Sequence, residues 1–229
     1  MTNTDRLIEQ LATNLEPVEP LHSPARRAAT FMLGATAYVA LLTLAIARPG
    51  FASRGADLAV LVPQLVALAA SLLAVRAAFA SVVPGHERST LVWATIGVAA
   101  WAAASVVGAL MATAEHQAVL SARHELWCVA VILGGGVPLL VALASLLRRG
   151  APLTPITTAL LGAFAVGSLG NIAACFWTPH RDGVSALLWH GGAILVLVLA
   201  CTAFAPLVLS WRVAAEPHRR AHNSKPKSR

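Results

Sequence analysis

Six long apolar segments take up most of this chain and constrain it more than any other feature. Each is close to or above the roughly 20 residues that carry an α-helix across the hydrocarbon core of a bilayer. The chain is 57% hydrophobic and 12% charged, whereas an average soluble domain is about 25% charged. We therefore predict an all-α fold, a polytopic six-helix transmembrane bundle with short connections. The predicted spans are 29–47, 58–82, 91–112, 126–147, 156–177 and 186–211.

The basic residues fall mainly on one side of this predicted bundle. With the N-terminus in the cytoplasm, 13 of the 17 Lys and Arg residues lie on the cytoplasmic side, and 4 lie on the outer side. Cytoplasmic loops of membrane proteins carry such an excess of Lys and Arg, so both termini are predicted to be cytoplasmic. The four outer residues are Arg48, Arg54, Arg123 and Arg181.

The remaining chain divides into a cytoplasmic N-terminal region, 1–28, and a basic cytoplasmic tail, 212–229, on either side of the membrane domain at 29–211. The tail follows the last span directly, so we expect it to lie near anionic lipid headgroups. A basic tail can also indicate nucleic-acid binding, but direct binding to nucleic acid is not expected here. The bilayer is the predicted partner of this segment.

The N-terminal region is predicted to be a short amphipathic helix on a stiff arm. Residues 4–15 place four apolar side chains on one helical face, and prolines after them favour an extended arm up to Arg27. An isolated helix of this length is marginal in water, so we expect it to become ordered against a partner or the bilayer. The apolar residues are Leu7, Ile8, Leu11 and Leu15, and the prolines are Pro17, Pro20 and Pro24.

Glycine, proline and alanine predict two local features of the spans. The run 134–136 is all glycine and precedes Pro138, which predicts a kink or local unwinding of the fourth span. The fifth span carries small residues four apart, which allow close helix contact. These are Ala163 with Gly167 and Gly170 with Ala174.

Two cysteines and a histidine are predicted to lie in one layer near the outer ends of the spans. At about 1.5 Å per residue, Cys128 and Cys175 are each roughly 3–4 Å inside their spans and His190 is roughly 6 Å deep. Asn171 lies one turn from Cys175 on the same face. His124 and His180 lie in the adjoining outer loops.

This layer is open to several interpretations. Two thiols on an oxidising side can form a disulfide, and thiolates with an imidazole can bind a soft or borderline metal ion. Equally, Cys128 and Cys175 can be small buried fillers, and His190 can hydrogen-bond to a neighbouring helix through Asn171. Cys201, near the middle of the sixth span, is predicted to be a filler.

An enzyme is not predicted. No Asp or Glu falls well inside a span, which leaves neither an acid–base dyad nor an evident proton relay. A membrane thiol oxidoreductase that uses Cys128 and Cys175 stays an alternative, although no CxxC motif is present. A small metal transporter is a second alternative, although the chain has no internal repeat.

The order of motifs along residues 4–212 resembles the NrsF family, six-span membrane anti-sigma factors described as negative regulators of sigma F. No single motif is specific, but together they follow the family's topology. The N-terminal motifs are Leu7-Ile8-x-x-Leu11-Ala12, Pro17-Val18, Leu21, Pro24 and Arg27. The later ones are Cys128, Arg148-Arg149-Gly150-Ala151-Pro152 with Pro155, Cys175, Trp189-His190 and Trp211-Arg212.

The resemblance implies a regulator of transcription in the bacterial inner membrane. Such a protein sequesters an extracytoplasmic-function sigma factor and releases it on envelope, heavy-metal or oxidative stress. Paired outer cysteines contribute to sensing in that family, and they match Cys128 and Cys175 here. This chain departs from the family at Ala174, where His is frequent, and at 202–205, where small glycine positions are expected. No resident cofactor is expected, and a heavy-metal ion is the one candidate ligand, held by Cys128, Cys175 and His190.

Overall fold

The computed structural model describes residues 3–13, 21–46, 58–83, 85, 88–115, 122–150, 152–177 and 183–209. Every regular element in these ranges is an α-helix, which confirms the predicted all-α class. Six of the helices, α2 to α7, are long and apolar enough to cross a membrane, so the chain is a multi-pass membrane protein. The helices are α1 (Asn3–Thr13), α2 (Pro24–Ile46), α3 (Leu58–Ala80), α4 (Arg88–Glu115), α5 (Ala122–Arg148), α6 (Pro155–Trp177) and α7 (Gly183–Val208).

Two of the spanning helices begin at a Ser/Thr-Pro pair. Proline suits the first helical position because it has no N–H to leave unpaired. At the start of α2, the Ser23 hydroxyl accepts a hydrogen bond from the Arg26 backbone N–H at 3.4 Å. Residues 24–27 are therefore the first turn of α2. The prediction that the extended arm continues to Arg27 is wrong for these residues. At the start of α6, the Thr158 backbone N–H donates to the Thr154 carbonyl at 3.0 Å.

The helix α5 corrects a second expectation. It runs without interruption from Ala122 to Arg148, through the three glycines and Pro138. The local unwinding predicted for 134–138 is therefore wrong. Pro138 removes one backbone donor, but the surrounding residues keep the helical conformation.

The helix α6 lies at the centre of the bundle. It contacts α2, α3, α5 and α7, whereas α4 packs mainly on α3 and α7. In its most apolar window 72% of the α6 residues are buried, against 17–44% for the other five spanning helices. The fold is therefore an arrangement around α6, with the remaining helices exposing much of their apolar surface to lipid.

Small residues allow the neighbours to approach α6 closely, as predicted. A Cβ atom at Gly170 would lie 3.0 Å from the Ile132 carbonyl oxygen of α5. A Cβ at Gly167 would lie 3.2 Å from the Ile194 side chain of α7. Any larger residue at these two positions would push α5 or α7 away from the centre.

Hydroxyl groups join α3 to α6 across the apolar core. The Ser71 hydroxyl lies 3.2 Å from the Ala165 carbonyl oxygen. Just after the end of α3, the Ser81 hydroxyl lies 2.8 Å from the Thr158 hydroxyl of α6. In a membrane bundle such bonds stabilise helix packing where lipid offers no alternative partner.

The helix α1 differs from all the others because it has no buried residue. Its apolar side chains Leu7, Ile8 and Leu11 are between 55% and 61% exposed. The predicted amphipathic helix is confirmed over Asn3–Thr13. Leu15, most of the predicted arm and the tail at 212–229 lie outside the described residues.

Candidate functional site

The contact between α5 and α6 fixes where Cys128 lies. Gly170 faces the backbone of Ile132, and the two helices run antiparallel. Cys128 is one turn before Ile132, and Ala174 is one turn after Gly170, so these two positions come opposite each other. Both are fully buried. Cys128 is thus held in the α5–α6 interface, next to the end of α6 that carries Cys175.

A cluster of polar side chains surrounds Cys175. The Asn171 Oδ1 atom lies 2.7 Å from Nδ1 of His190 on α7. The Cys175 Sγ atom lies 3.6 Å from the same amide oxygen and 3.7 Å from the same imidazole nitrogen. An amide oxygen can only accept hydrogen bonds, so Nδ1 of His190 and the thiol of Cys175 both donate to Asn171.

The cluster is enclosed within the bundle. Asn171 and His190 are 7% and 5% exposed, and Cys175 is partly exposed. Buried polar groups need partners, because leaving one unsatisfied costs about 1–3 kcal/mol. Asn171 therefore links α6 to α7 through one oxygen atom. This is the hydrogen bond that one interpretation of the sequence predicted for His190.

A fourth side chain, Gln64, joins the cluster from α3. It is 8% exposed, and its side-chain amide lies within hydrogen-bonding reach of the Cys175 sulfur. Gln64 was not predicted from the sequence. The available signal was its amide inside an apolar span, where a polar residue is by default a functional candidate. With Gln64 included, Cys175 contacts side chains from three helices.

Cys128 and Cys175 are neighbours, and both are free thiols. The structure thus brings Cys128, Cys175 and His190 into one region, as the sequence suggested. Cys201 is half-buried on α7 and is not part of this cluster.

A metal centre is not preformed in the described part of the chain. No three side chains of His, Cys, Asp or Glu among the described residues are grouped as metal ligands would be. Ala174, the residue before Cys175, is fully buried. The His124 side chain and His180 lie outside the described residues.

The second candidate site is the apolar face of α1. Leu7, Ile8 and Leu11 lie on one side of the helix, and Glu9 lies on the opposite side. More than half of each apolar side chain is exposed. This face can bind the groove of another protein or lie on a membrane surface.

A comparison with known families gives one match. The family model named NrsF, described as negative regulator of sigma F, matches residues 11–211. This stretch contains all six spanning helices, Cys128, Cys175 and His190, but only the last residues of α1. No curated protein and no solved structure matches the chain.

Proposed function

The chain belongs to the NrsF family of negative regulators of sigma F, and from this premise we propose that it is a membrane-bound anti-sigma factor. It sequesters an extracytoplasmic-function sigma factor at the cytoplasmic face of a bacterial inner membrane, away from RNA polymerase. It releases the sigma factor on envelope, heavy-metal or oxidative stress. In this function the chain is a regulator and not an enzyme.

The exposed apolar face of α1 is the observation that carries the proposal. Leu7, Ile8 and Leu11 have no place in the buried core, although the rest of the chain is rich in apolar partners. Burying one such side chain contributes about 1.5–3 kcal/mol, so three of them are enough to anchor a helix in a groove. We assign this face to the sigma factor.

The charge distribution supports the cytoplasmic position of α1. The N-terminal side of the bundle receives 13 of the 17 Lys and Arg residues, which is the bias of cytoplasmic loops. The sigma factor acts in the cytoplasm, so α1 and its target share a compartment. The thiol cluster then lies near the opposite surface, where oxidants and metal ions arrive first.

We assign sensing to Cys128 and Cys175. Hydrogen peroxide takes two protons and two electrons from the two thiols, which leaves one S–S bond and two molecules of water. A thiophilic metal ion displaces the thiol protons and binds the sulfurs. Either change removes the thiol hydrogen that Cys175 donates to Asn171, and so it biases the packing of α5, α6 and α7.

Sigma-factor binding by α1 is tested with the full-length protein in detergent or nanodiscs. A Leu7→Ala/Leu11→Ala double variant should lose most of its affinity for its partner sigma factor. The matched control is Arg6→Ala/Glu9→Ala, which shortens two side chains on the polar face of the same helix. Unchanged affinity in the first variant would remove α1 as the binding element.

Sensing is tested separately with a sigma-dependent transcription reporter in cells. A Cys128→Ser/Cys175→Ser variant should repress the reporter in unstressed cells, yet fail to induce it with hydrogen peroxide or a cadmium salt. Cys201→Ser is the control, because Cys201 lies outside the cluster. Normal induction in the double variant would exclude the thiol switch and leave sigma-factor binding intact.

A further inference from the structure

Arg27 lies inside a junction of three helices. Its guanidinium donates a hydrogen bond from Nη2 to the carbonyl oxygen of Leu146, in the last turn of α5. The same group lies over the ring of Phe79 in α3, with 4.6 Å between Cζ and the ring centroid. Phe79 is fully buried. Arg27 therefore joins the first turn of α2 to the ends of α3 and α5.

The Leu146 carbonyl is available for this contact because of its position. The last four carbonyl groups of a helix have no intrahelical partner, and α5 ends at Arg148. The loop that follows passes close by, since a Cβ at Gly150 would lie 3.3 Å from Nη1 of Arg27 and would collide with Val82. The guanidinium is thus surrounded by α3, by α5 and by the loop that follows α5.

Among the described residues, the Arg27 guanidinium pairs with no carboxylate, and its buried Nη1 atom has no hydrogen-bond partner. The neighbouring charge is Arg149, which repels it. The Leu146 contact therefore depends on how α5 is placed relative to α2.

We infer that Arg27 is a positioning residue that couples α5 to the segment carrying α1. The inference rests on the proposed function. Cys128 lies near one end of α5 and Leu146 near the other, about 27 Å apart at 1.5 Å per residue. Since α5 is continuous between them, a movement of the end that carries Cys128 is transmitted to Leu146.

The contact can transmit a small movement. A hydrogen bond stays strong only up to about 3.2 Å, so the first turn of α2 has to follow a shift of α5 of about 1–2 Å, a size that is common in switching proteins. The contacts between α2 and α5 are otherwise few. The Arg27–Leu146 bond therefore displaces the first turn of α2 together with the end of α5, and without this bond the N-terminal region no longer follows α5.

The experiment compares repression and induction of a sigma-dependent reporter in cells that express Arg27→Gln or Arg26→Gln. Arg26 is adjacent but exposed, so its variant removes the same charge from the same turn. We expect Arg27→Gln to repress normally without stress and to lose at least fivefold of its induction by hydrogen peroxide. Arg26→Gln should behave as the wild type, with membrane levels compared by immunoblot.

The possible outcomes separate this inference from the proposed function. A wild-type protein that represses no sigma-dependent reporter would refute the proposed function itself. If the wild type represses and Arg27→Gln induces normally, only the coupling is refuted. If Arg27→Gln fails to repress at a normal membrane level, Arg27 takes part in holding the sigma factor, and the coupling is likewise refuted. Arg27→Lys, which keeps the charge but not the planar group, should recover part of the induction.

Discussion

The helices α6 and α1 are the most and the least enclosed of the described elements. The buried residues of α6 are covered by α2, α3, α5 and α7. In α1, no residue is buried and the apolar face has no partner within the core. The difference indicates which property of the protein each helix determines. Substitutions in α6 should change the stability of the bundle, whereas substitutions in α1 should change the affinity for another protein.

The strongest test of this comparison is Gly170→Leu in α6. The new side chain has to displace the Ile132 backbone of α5, and overpacking costs about 1–3 kcal/mol and occasionally more. We expect the upper end here, because the displaced atoms belong to the backbone. We expect the midpoint of unfolding in detergent to fall steeply. Gly34→Leu is the control, because no atom lies within 4 Å of a Cβ at that position. Equal effects of the two substitutions would contradict the central position of α6.

The second test concerns α1. Ile8→Gln removes an exposed apolar side chain that we assign to the sigma-factor interface. We expect a loss of about 2 kcal/mol in binding free energy, or roughly 30-fold in Kd, with no change in the unfolding midpoint. Glu9→Gln places the same residue on the opposite face and should leave both measurements unchanged. A lower unfolding midpoint for Ile8→Gln would show that α1 packs within the chain.

A smaller effect is expected for Asn171→Leu. This substitution removes the oxygen atom that accepts hydrogen bonds from His190 and Cys175, at a cost of about 1 kcal/mol. In a Cys128→Ser/Cys201→Ser background, maleimide should also alkylate Cys175 several-fold faster, because the thiol is no longer held by Asn171. An unchanged alkylation rate would show that this hydrogen bond does not restrain the thiol. Ser168→Ala on the same helix is the control.

The smallest effect is expected for Ser71→Ala, which removes one hydrogen bond between α3 and α6. Hydrogen bonds between membrane helices contribute about 0.6 kcal/mol on average, so the unfolding midpoint should fall slightly. Thr95→Ala in α4 is the comparison, since the Thr95 hydroxyl bonds only to Leu91 in its own helix. A larger loss for Thr95→Ala would reverse the ranking of interfaces that the structure indicates.

The spans themselves were predictable from sequence, because about 20 apolar residues are a physical requirement for crossing the bilayer. The central place of α6 was not, since it is no more apolar than α5 or α7. Lipid and the protein interior are equally apolar, so hydropathy does not distinguish a central from a peripheral helix. The small residues four apart in this span, Ala163 with Gly167 and Gly170 with Ala174, were the available indication.

The sequence predicted how deep the residues of the thiol cluster lie in their spans, but not how the helices are rotated about their axes. Counting residues from the span ends placed Cys128, Cys175 and His190 in one layer, but it could not show that Gln64 of α3 faces the same sulfur. The sequence predicted Arg27 only as the end of the extended N-terminal arm. Its contact with Leu146 joins residues 119 apart in the chain, and no local pattern encodes such a contact.

The central helix is also the fifth of the six spans to leave the ribosome. Until α6 emerges, Ser71 and Ser81 have hydrogen-bond partners only in their own segment of the chain, and only the pairs of α2 with α3 and α3 with α4 can form many contacts. The bundle therefore closes late in synthesis. A nascent chain that stalls before residue 155 exposes the surfaces that α6 later covers, which makes it a natural substrate for membrane quality control.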